Sequence, residues 1–561
     1  MLELIIFIIC LLIAITSLSF LLGKFISKHF SNDTTESKTK LQLFYEKLES
    51  PIYKLCGINP NKQMTPLEYF LALFWSNILL SAICFLMLHF QNILPYRGPV
   101  RWQLDIPLIL HILSSLITNT RQTHHIPEQH LTHLSNYFVM PLLMFYSSGS
   151  GLATGIVFMR SITKGWSGNA YVDCIKAMTR ILFPGCFILT IIYTALGMPN
   201  TFTTLVSYET IENIKQNILL GPVAAFEAIK LFGENGLSCF NANSAHPFEN
   251  PSYLTNFLEI TTIFAVPFAL IITLGFWLKN HKQAIVILAV LITVMVTEFI
   301  LVSVKELNGN HLINNLLNEN YSNWVGKETR LGIIGSSIFE AAVSNVSGSA
   351  NASLDSFHPI INAFGIFNLS NQSIFGVQGF GTVFTINFVL YTAFFIGIIL
   401  GRTPEIFGRR IEKTEMILSS VLLLLNPILV LSSVGITLIL YPDNSTNVYE
   451  HIHYYTRVFY EFASGAASNG SGLEGLSDNT RYWNLSLAIV MFLARYGAMS
   501  CMILLGGSLA NKPSLPQTIT TFRTDTVMFG FIFLFMSAIS TVLIYLPFII
   551  LGPISEVLIH R

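Results

Sequence analysis

Ten apolar runs of about 20 residues punctuate the chain, at roughly 2–22, 67–89, 134–158, 172–197, 254–277, 283–303, 380–400, 416–440, 484–507 and 526–551. A helix of that length rises about 30 Å, the thickness of the hydrocarbon core, so each run predicts a membrane-spanning helix. Four shorter apolar stretches, roughly 106–117, 222–232, 332–343 and 457–465, lie in the long connections between spans. Ten to twelve helical residues cover about 15–18 Å, half a bilayer. Each stretch runs straight into small polar residues: Thr118-Asn-Thr-Arg121, Glu234-Asn-Gly-Leu-Ser238, Ser344-Asn-Val-Ser-Gly-Ser349 and Ala467-Ser-Asn-Gly-Ser471. With Asn119, Asn235, Gly348 and Asn469 as markers, the separations are 116, 113 and 121 residues, an internal period. Each period reads span, half-helix, polar loop, span. The pattern predicts an all-α polytopic membrane protein with four repeats at 67–158, 172–277, 283–400 and 416–507. An extra N-terminal span with its connection (1–66) and an extra C-terminal span (526–551) flank them.

Non-helical backbone at membrane depth survives only inside protein or beside a wet cavity, where its N–H and C=O groups find partners. Four such loops in one chain therefore point to a shared central site. Half-helices aiming their negative C-terminal ends at the membrane middle favour a cation. Asn, Ser and Gly loops let carbonyl oxygens face an axis and replace a hydration shell. Taken singly, each stretch also reads as an interfacial helix or packed loop; the fourfold recurrence favours the pathway. A secondary transporter with broken helices is a rival architecture, but that class has two repeats.

Composition agrees. Of 561 residues, 52% are hydrophobic and only 11% charged, and mean hydropathy is +0.59. A soluble chain carries about 25% charge, so a solvated multidomain surface is excluded. Net charge is zero, which predicts no nucleic-acid partner. Seven cysteines form no CxxC and no Cys/His pair at zinc spacing, and read as small buried hydrophobes. The connections 23–66, 159–171, 278–282, 401–415 and 508–525 hold about 17 Lys and Arg in about 95 residues, against about 11 in about 230 on the other side. The first set is thereby predicted to be cytoplasmic, with both termini and all four half-helices outside. The first run has no basic residues before it and no small-x-small cleavage site, so it reads as a retained helix.

Several segments then carry a resemblance. Gly221-Pro-Val-Ala, Glu227-Ala-Ile-Lys230, Phe240-Asn-Ala-Asn-Ser244 and His246-Pro-Phe-Glu-Asn-Pro251 are the clearest. Thr118-Asn-Thr120, Gly168-Asn-Ala170, Asp355-Ser-Phe357, Gly401-Arg-Thr-Pro-Glu405, Ser464 to Ser471 and Gly506-Gly-Ser-Leu509 follow in order. From about Gly57 onward the chain resembles the A subunit of the bacterial Kdp potassium-transporting ATPase. The resemblance implies four M1-P-M2 potassium-channel-like repeats with re-entrant pore helices, in the bacterial plasma (inner) membrane. It implies K+ as the transported ion, taken from outside through a selectivity filter and passed along an intramembrane tunnel to a P-type ATPase subunit. A single-span accessory subunit, a very small hydrophobic peptide and membrane lipid are the other implied partners. The chain has no GxxxxGK[ST] loop and no Asp-Lys-Thr-Gly-Thr motif, so it is expected to bind no nucleotide and not to be catalytic alone. The runner-up readings are a stand-alone channel-like cation transporter and a non-conducting scaffold with decayed filters.

The candidate filter residues are Thr118, Asn119 and Thr120; Asn235 and Gly236; Val346, Ser347 and Gly348; and Ser468, Asn469 and Gly470. The loops depart from the family pattern. Thr-Asn-Thr-Asn-Trp-Gln becomes Thr118-Asn-Thr-Arg-Gln-Thr123, followed by a histidine-bearing insertion (His124, His125, His130) that reads as solvated outer loop rather than a metal site. Thr-Asn-Gly-Gly-Gly becomes Glu234-Asn-Gly-Leu-Ser238, Ser-Cys-Gly becomes Val346-Ser-Gly348, only Asn469 remains of three asparagines before Gly470, and Gln372 stands at a family glutamate. Arg121 and Glu234 are both new charges, and an ion pair at 4 Å, about 4 kcal/mol at an effective dielectric of 20, is expected between them. The alternatives are that both face outside water, or that Glu234 is an ion ligand. Gly376, Gly379 and Gly381 interrupt a helix, and the resemblance implies that this loop gates exit from the pore, with a loose outer loop before the span as the other reading. Arg495, mid-span, either repels ions along the pathway or locks two helices. Lys176 and Arg180 are expected to snorkel. Arg402, Arg409, Arg410 and Lys413 mark a cytoplasmic connection, with docking to the ATPase subunit as a second role.

Overall fold

A computed structural model describes residues 2–31, 39–96, 98, 102–203, 205–309, 321–371, 376–443, 445–514 and 522–559. Among them are ten helices long and apolar enough to cross a membrane. Their starts follow the local sequence. Thr65 and Glu68 form a capping box ahead of Pro66, Ser252 and Thr255 form another, and Asn280, Thr480 and Thr526 cap the spans that follow them.

Burial separates the spans into two kinds. Pro66–His89, Ala170–Ala195, His281–Asn308 and Lys413–Leu440 bury only 28–33% of their most apolar window. Ser135–Lys164, Tyr253–Leu278, Phe380–Ile399 and Arg481–Ala510 bury 83%, 83%, 72% and 61%. Exposed and inner spans thus alternate along the chain, and the four inner spans make the core. The flanking spans Leu2–His29 and Val527–Ile559, at 33% and 28%, lie at the edge. The first packs along Tyr253–Leu278: Ser19 Oγ donates to the Ala265 carbonyl at 3.0 Å, and Thr273 Oγ1 to that of Gly23 at 3.1 Å.

Of three five- or six-residue π-turns, Ser135–Val139 and Ala177–Leu182 end two residues before Pro141 and Pro184, and Ile550–Ile554 contains Pro553. A proline ring clashes with the carbonyl four residues earlier, and a wider turn relieves that clash. The second π-turn also swings Arg180 inward. Arg180 does not snorkel: it is buried, and its Nε and Nη2 donate to Glu49 Oε1 and Oε2 at 2.7 and 2.8 Å. Glu49 belongs to the helix Lys40–Leu55, which brings a carboxylate to a place where reaching water would cost a buried pair.

Short helices occupy the long connections: Ile106–Ile117, Val223–Phe232, Gly332–Asn345 and Val448–Ala466. The last begins nine residues before the apolar stretch at 457, because its first turns are polar. Two further features were not anticipated. An exposed hairpin pairs Leu205–Glu209 with Lys215–Leu219, and the third repeat inserts a helix, Pro359–Asn371, before its inner span.

Arg409 corrects the reading of the basic connection at 402–413. It is buried and donates to the carbonyls of Ile162, Leu509, Ala510 and Lys512 at 2.7–3.0 Å. A cation there completes the negative C-terminal ends of two inner spans rather than offering a docking charge.

Candidate functional site

The loops after the four short helices meet at one place, and backbone hydrogen bonds fix their register. The N–H groups of Asn119, Glu234, Val346 and Ser468 reach back three residues, to Leu116, Leu231, Val343 and Gly465. Those of Thr120, Asn235 and Asn469 reach back five, to Ser115, Lys230 and Ser464. Equivalent positions are therefore Asn119, Glu234, Val346 and Ser468; then Thr120, Asn235, Ser347 and Asn469; then Arg121, Gly236, Gly348 and Gly470. The markers read from sequence shift accordingly: Asn119 lies one position early and Gly348 one late. Arg121 takes the place that glycine holds in the other three loops.

Three loops alternate in backbone conformation. Positive φ occurs at Asn119 and Arg121 (61° and 55°), Glu234 and Gly236 (49° and 69°), and Ser468 and Gly470 (56° and 97°). Such alternation turns successive peptide carbonyls to one side of the strand, as a ring of carbonyl ligands requires. A left-handed non-glycine residue costs about 1–2 kcal/mol, so surrounding contacts must hold Arg121, Glu234 and Ser468 in place. The third loop lacks the alternation; Val346 has φ −125° and ψ −68°.

The loops touch in cyclic order. Asn119 Nδ2 donates to the Glu234 carbonyl at 2.8 Å. A Cβ on Gly236 would lie 2.8 Å from the Gly348 carbonyl oxygen. Gly348 N–H donates to the Asn469 carbonyl at 2.6 Å, and Asn469 Nδ2 to that of Val343 at 2.8 Å. A Cβ on Gly470 would run into the Thr120 carbonyl oxygen, closing the ring. Behind it, Ser147 Oγ donates to Asn119 Oδ1 at 2.9 Å and Ser148 Oγ to the Gly233 carbonyl at 2.8 Å. Glu249 Oε1 accepts from Cys239 N–H (2.9 Å) and Phe240 N–H (3.1 Å), and Lys230 Nζ sits 3.0 Å from Glu249 and 2.7 Å from Glu227.

Arg121 and Glu234 are both buried, yet they form no ion pair among the described residues. Glu234 is equivalent to Asn119, two residues earlier along its strand than Arg121, so the side chains leave at different levels. Arg121 Nη2 lies 3.5 Å from the Ser238 carbonyl, with Glu249 and Glu128 as the carboxylates acting on it. Glu234 instead meets Gln378: the amide nitrogen of Gln378, oriented as its neighbours require, donates to Glu234 Oε1 at 3.1 Å and to the Gly233 carbonyl at 3.2 Å.

Gln378 belongs to the glycine-rich segment, which is no loose surface loop. Gly376 N–H donates to the Asn345 carbonyl at 3.0 Å, at the end of the third short helix. Gly379, at φ 75°, lies against the Gly151 carbonyl, and a Cβ on Gly155 would be 2.8 Å from Gly379 Cα. Gly381 N–H closes the first turn of the inner span onto the Val377 carbonyl. Gln372 lies outside the described residues. Beside this segment, the Arg495 guanidinium stacks 3.6 Å from the centre of the Phe380 ring. All three of its nitrogens are buried without a hydrogen-bond acceptor. Gly376, Val377, Asn426, Ser468 and Arg495 line one small cavity there.

Sequence reading missed Gln378 and the glycines of Ser135–Lys164. The spacing Gly149-x-Gly151-x-x-x-Gly155 was the available signal, since small residues let backbones approach in membranes. His124 and His125 are buried, not solvated, and His124 stacks 3.9 Å from His111.

The sequence profile of the family described as "Potassium-transporting ATPase A subunit" matches residues 8–558. A protein of Anabaena sp. (strain L31) named potassium-transporting ATPase potassium-binding subunit is 38% identical over 553 residues, 98% of this chain and 96% of that one. One of the same name from Geobacillus kaustophilus is 37% identical over 528 residues, 93% and 94% of the two chains. Among solved structures, the potassium transporter TrkH from Vibrio parahaemolyticus superposes with a TM-score of 0.52 at 11% identity, covering 91% of this chain and all of that one. That likeness concerns the fold.

Proposed function

Because the chain belongs to the potassium-transporting ATPase A subunit family, we propose that it is the potassium-binding, channel-like subunit of an ATP-driven uptake complex. K+ is its cargo, and ATP hydrolysis belongs to another subunit. In this reading the four-loop ring is the selectivity filter at the outer side of the inner membrane, and both termini lie outside. The contacts that close the ring, Asn119 to Glu234, Gly236 to Gly348, Gly348 to Asn469 and Gly470 to Thr120, carry the reading. They bring twelve loop residues around one axis, where carbonyl oxygens can replace the water around a monovalent cation.

Below the filter, the Gly376–Gly381 segment and Arg495 act as the gate. A buried guanidinium without an acceptor repels a cation arriving from the ring and favours a sideways path through a tunnel toward the ATPase subunit. The accessory single-span subunit and the small hydrophobic peptide complete the complex. Potassium-stimulated ATPase activity of the co-purified complex, compared across K+, Rb+ and Na+, tests this. Stimulation by K+ and Rb+ but not Na+ is expected. No stimulation by any of the three in a folded complex leaves the scaffold reading.

A further inference from the structure

At the seam between the first and fourth repeats, apart from the ring, we propose a second cation site, for a zinc-class divalent metal, formed by His124, Glu461 and Asp478. His124 Nδ1 lies 2.7 Å from Asn484 Oδ1, and the Asn484 amide nitrogen is itself committed to Asn479 Oδ1 at 3.1 Å. Nδ1 therefore carries the hydrogen, and Nε2 presents its lone pair. That nitrogen is buried with no hydrogen-bond partner. It faces Glu461 Oε1 at 3.5 Å and Asp478 Oδ2 at 3.7 Å.

A lone pair opposite two carboxylates needs positive charge between them. A proton on Nε2 answers poorly, because both oxygens lie beyond the 2.7–3.2 Å of a good N–H···O bond. A metal answers well: bonds of about 2.0–2.1 Å set tetrahedral ligand atoms about 3.3–3.5 Å apart. The three ligand atoms all lie within 4.8 Å of one another. A nitrogen ligand and few oxygens select zinc-class ions over magnesium or calcium. The arrangement includes the outer-shell partner that ligating histidines have, here Asn484 on Nδ1. The His124 side chain is fully buried and that of Glu461 4% exposed, whereas Asp478 is 31% exposed. Asp478 is thus the side of the site that solvent and an arriving ion reach, and water from that side would be the fourth ligand. Gln122, the residue after Arg121, donates to the Glu461 backbone carbonyl at 3.1 Å and to its carboxylate. Occupancy of the site would therefore be felt at the ring.

The site depends on this chain's own fold and not on which ion the ring carries. The test uses the full-length chain without a polyhistidine tag, in its co-purified complex, stripped with chelator. Zn2+ is titrated by calorimetry, and Co2+ by visible absorption. One metal per chain and the intense Co2+ bands of a four-coordinate site are expected. His124→Gln and Asp478→Asn should each weaken binding at least about tenfold. Asp478 is partly exposed, so its isosteric variant should keep the wild-type melting temperature. Unchanged affinity in both folded variants, or wild-type binding no tighter than that of the double variant, overturns the proposal and leaves a protonated histidine between two acids.

Discussion

Arg121 and Gly236 sit side by side at equal depth in neighbouring loops, with the Arg121 Cβ 3.2 Å from where a Cβ would lie on Gly236. Arginine there adopts φ 55°, the left-handed conformation that Gly236 and Gly470 take at the equivalent position of two other loops. It also places a positive charge beside the proposed cation path. Two unit charges about 8 Å apart repel by about 2 kcal/mol at an effective dielectric of 20.

Arg121→Gly should therefore lower the half-saturating K+ concentration for ATPase stimulation by roughly tenfold or more. Arg121→Lys, which keeps the charge, should leave it near the wild-type value. Equal effects of the two variants would mean that backbone strain, not charge, dominates.

The segment beneath the ring makes a steric prediction. Gly151 has room for nothing more: a Cβ there would sit 2.7 Å from both Arg495 Nη2 and the Gln378 carbonyl oxygen. Gly151→Ala should push both aside, at about 1–3 kcal/mol of overpacking. Because these are proposed gate elements, potassium-stimulated turnover should fall much more than expression or melting temperature. Gly435, which has open space around it, provides the matched control as Gly435→Ala.

The buried pair at Arg180 and Glu49 joins a connecting helix to a span. Side-chain exposure is 4% and 1%, so neither charge can be left alone. Glu49→Gln should destabilise the protein by about 3–5 kcal/mol, whereas replacing both residues with apolar ones of similar volume should recover most of it. Melting in detergent of wild type, single and double variants measures this. A single variant as stable as wild type would show that water reaches Arg180.

Span positions were legible because bilayer thickness, an external ruler, sets apolar length. The ring was legible in outline and not in register. Residue identity suggested Asn119 as the counterpart of Asn235, but backbone bonding matches Thr120, and Arg121 hid the glycine position. Charged contacts were the least legible. Glu49 lies 131 residues from Arg180, and Asn484 lies 360 from His124, so no local pattern announces either pairing. The helix Pro359–Asn371 escaped because Asn362, Asn368 and Asn371 break its apolar run while being buried against partners elsewhere, such as Ser537 Oγ on Asn371 Oδ1 at 2.9 Å.

The third and fourth repeats are also tied by a titratable cluster. Asp355 accepts from His453 Nε2 at 2.7 Å and from Arg457 Nη2 at 2.6 Å, while His453 Nδ1 lies 3.2 Å from Glu556 and Tyr449 stacks on the imidazole at 5.6 Å. Burial works to lower the His453 value, but the hydrogen bond to Asp355 and the Glu556 carboxylate beside Nδ1 outweigh it and raise it to about 9. Burial likewise works to raise Asp355, but its bonds from His453 and Arg457 prevail and hold its carboxyl below the usual range. The raised histidine contributes stability that is complete below its unfolded value of about 6.5 and is lost as pH climbs through about 9. The depressed carboxylate contributes stability that is complete above its unfolded value of about 3.9 and is lost as pH falls through its lower folded value. Both contributions are complete only between about pH 4 and 6.5. The alkaline loss should be of order 2 kcal/mol. Melting temperature followed from pH 6 to 10 should therefore fall more steeply for wild type than for His453→Gln. Parallel curves would mean that His453 holds no proton against these two acids.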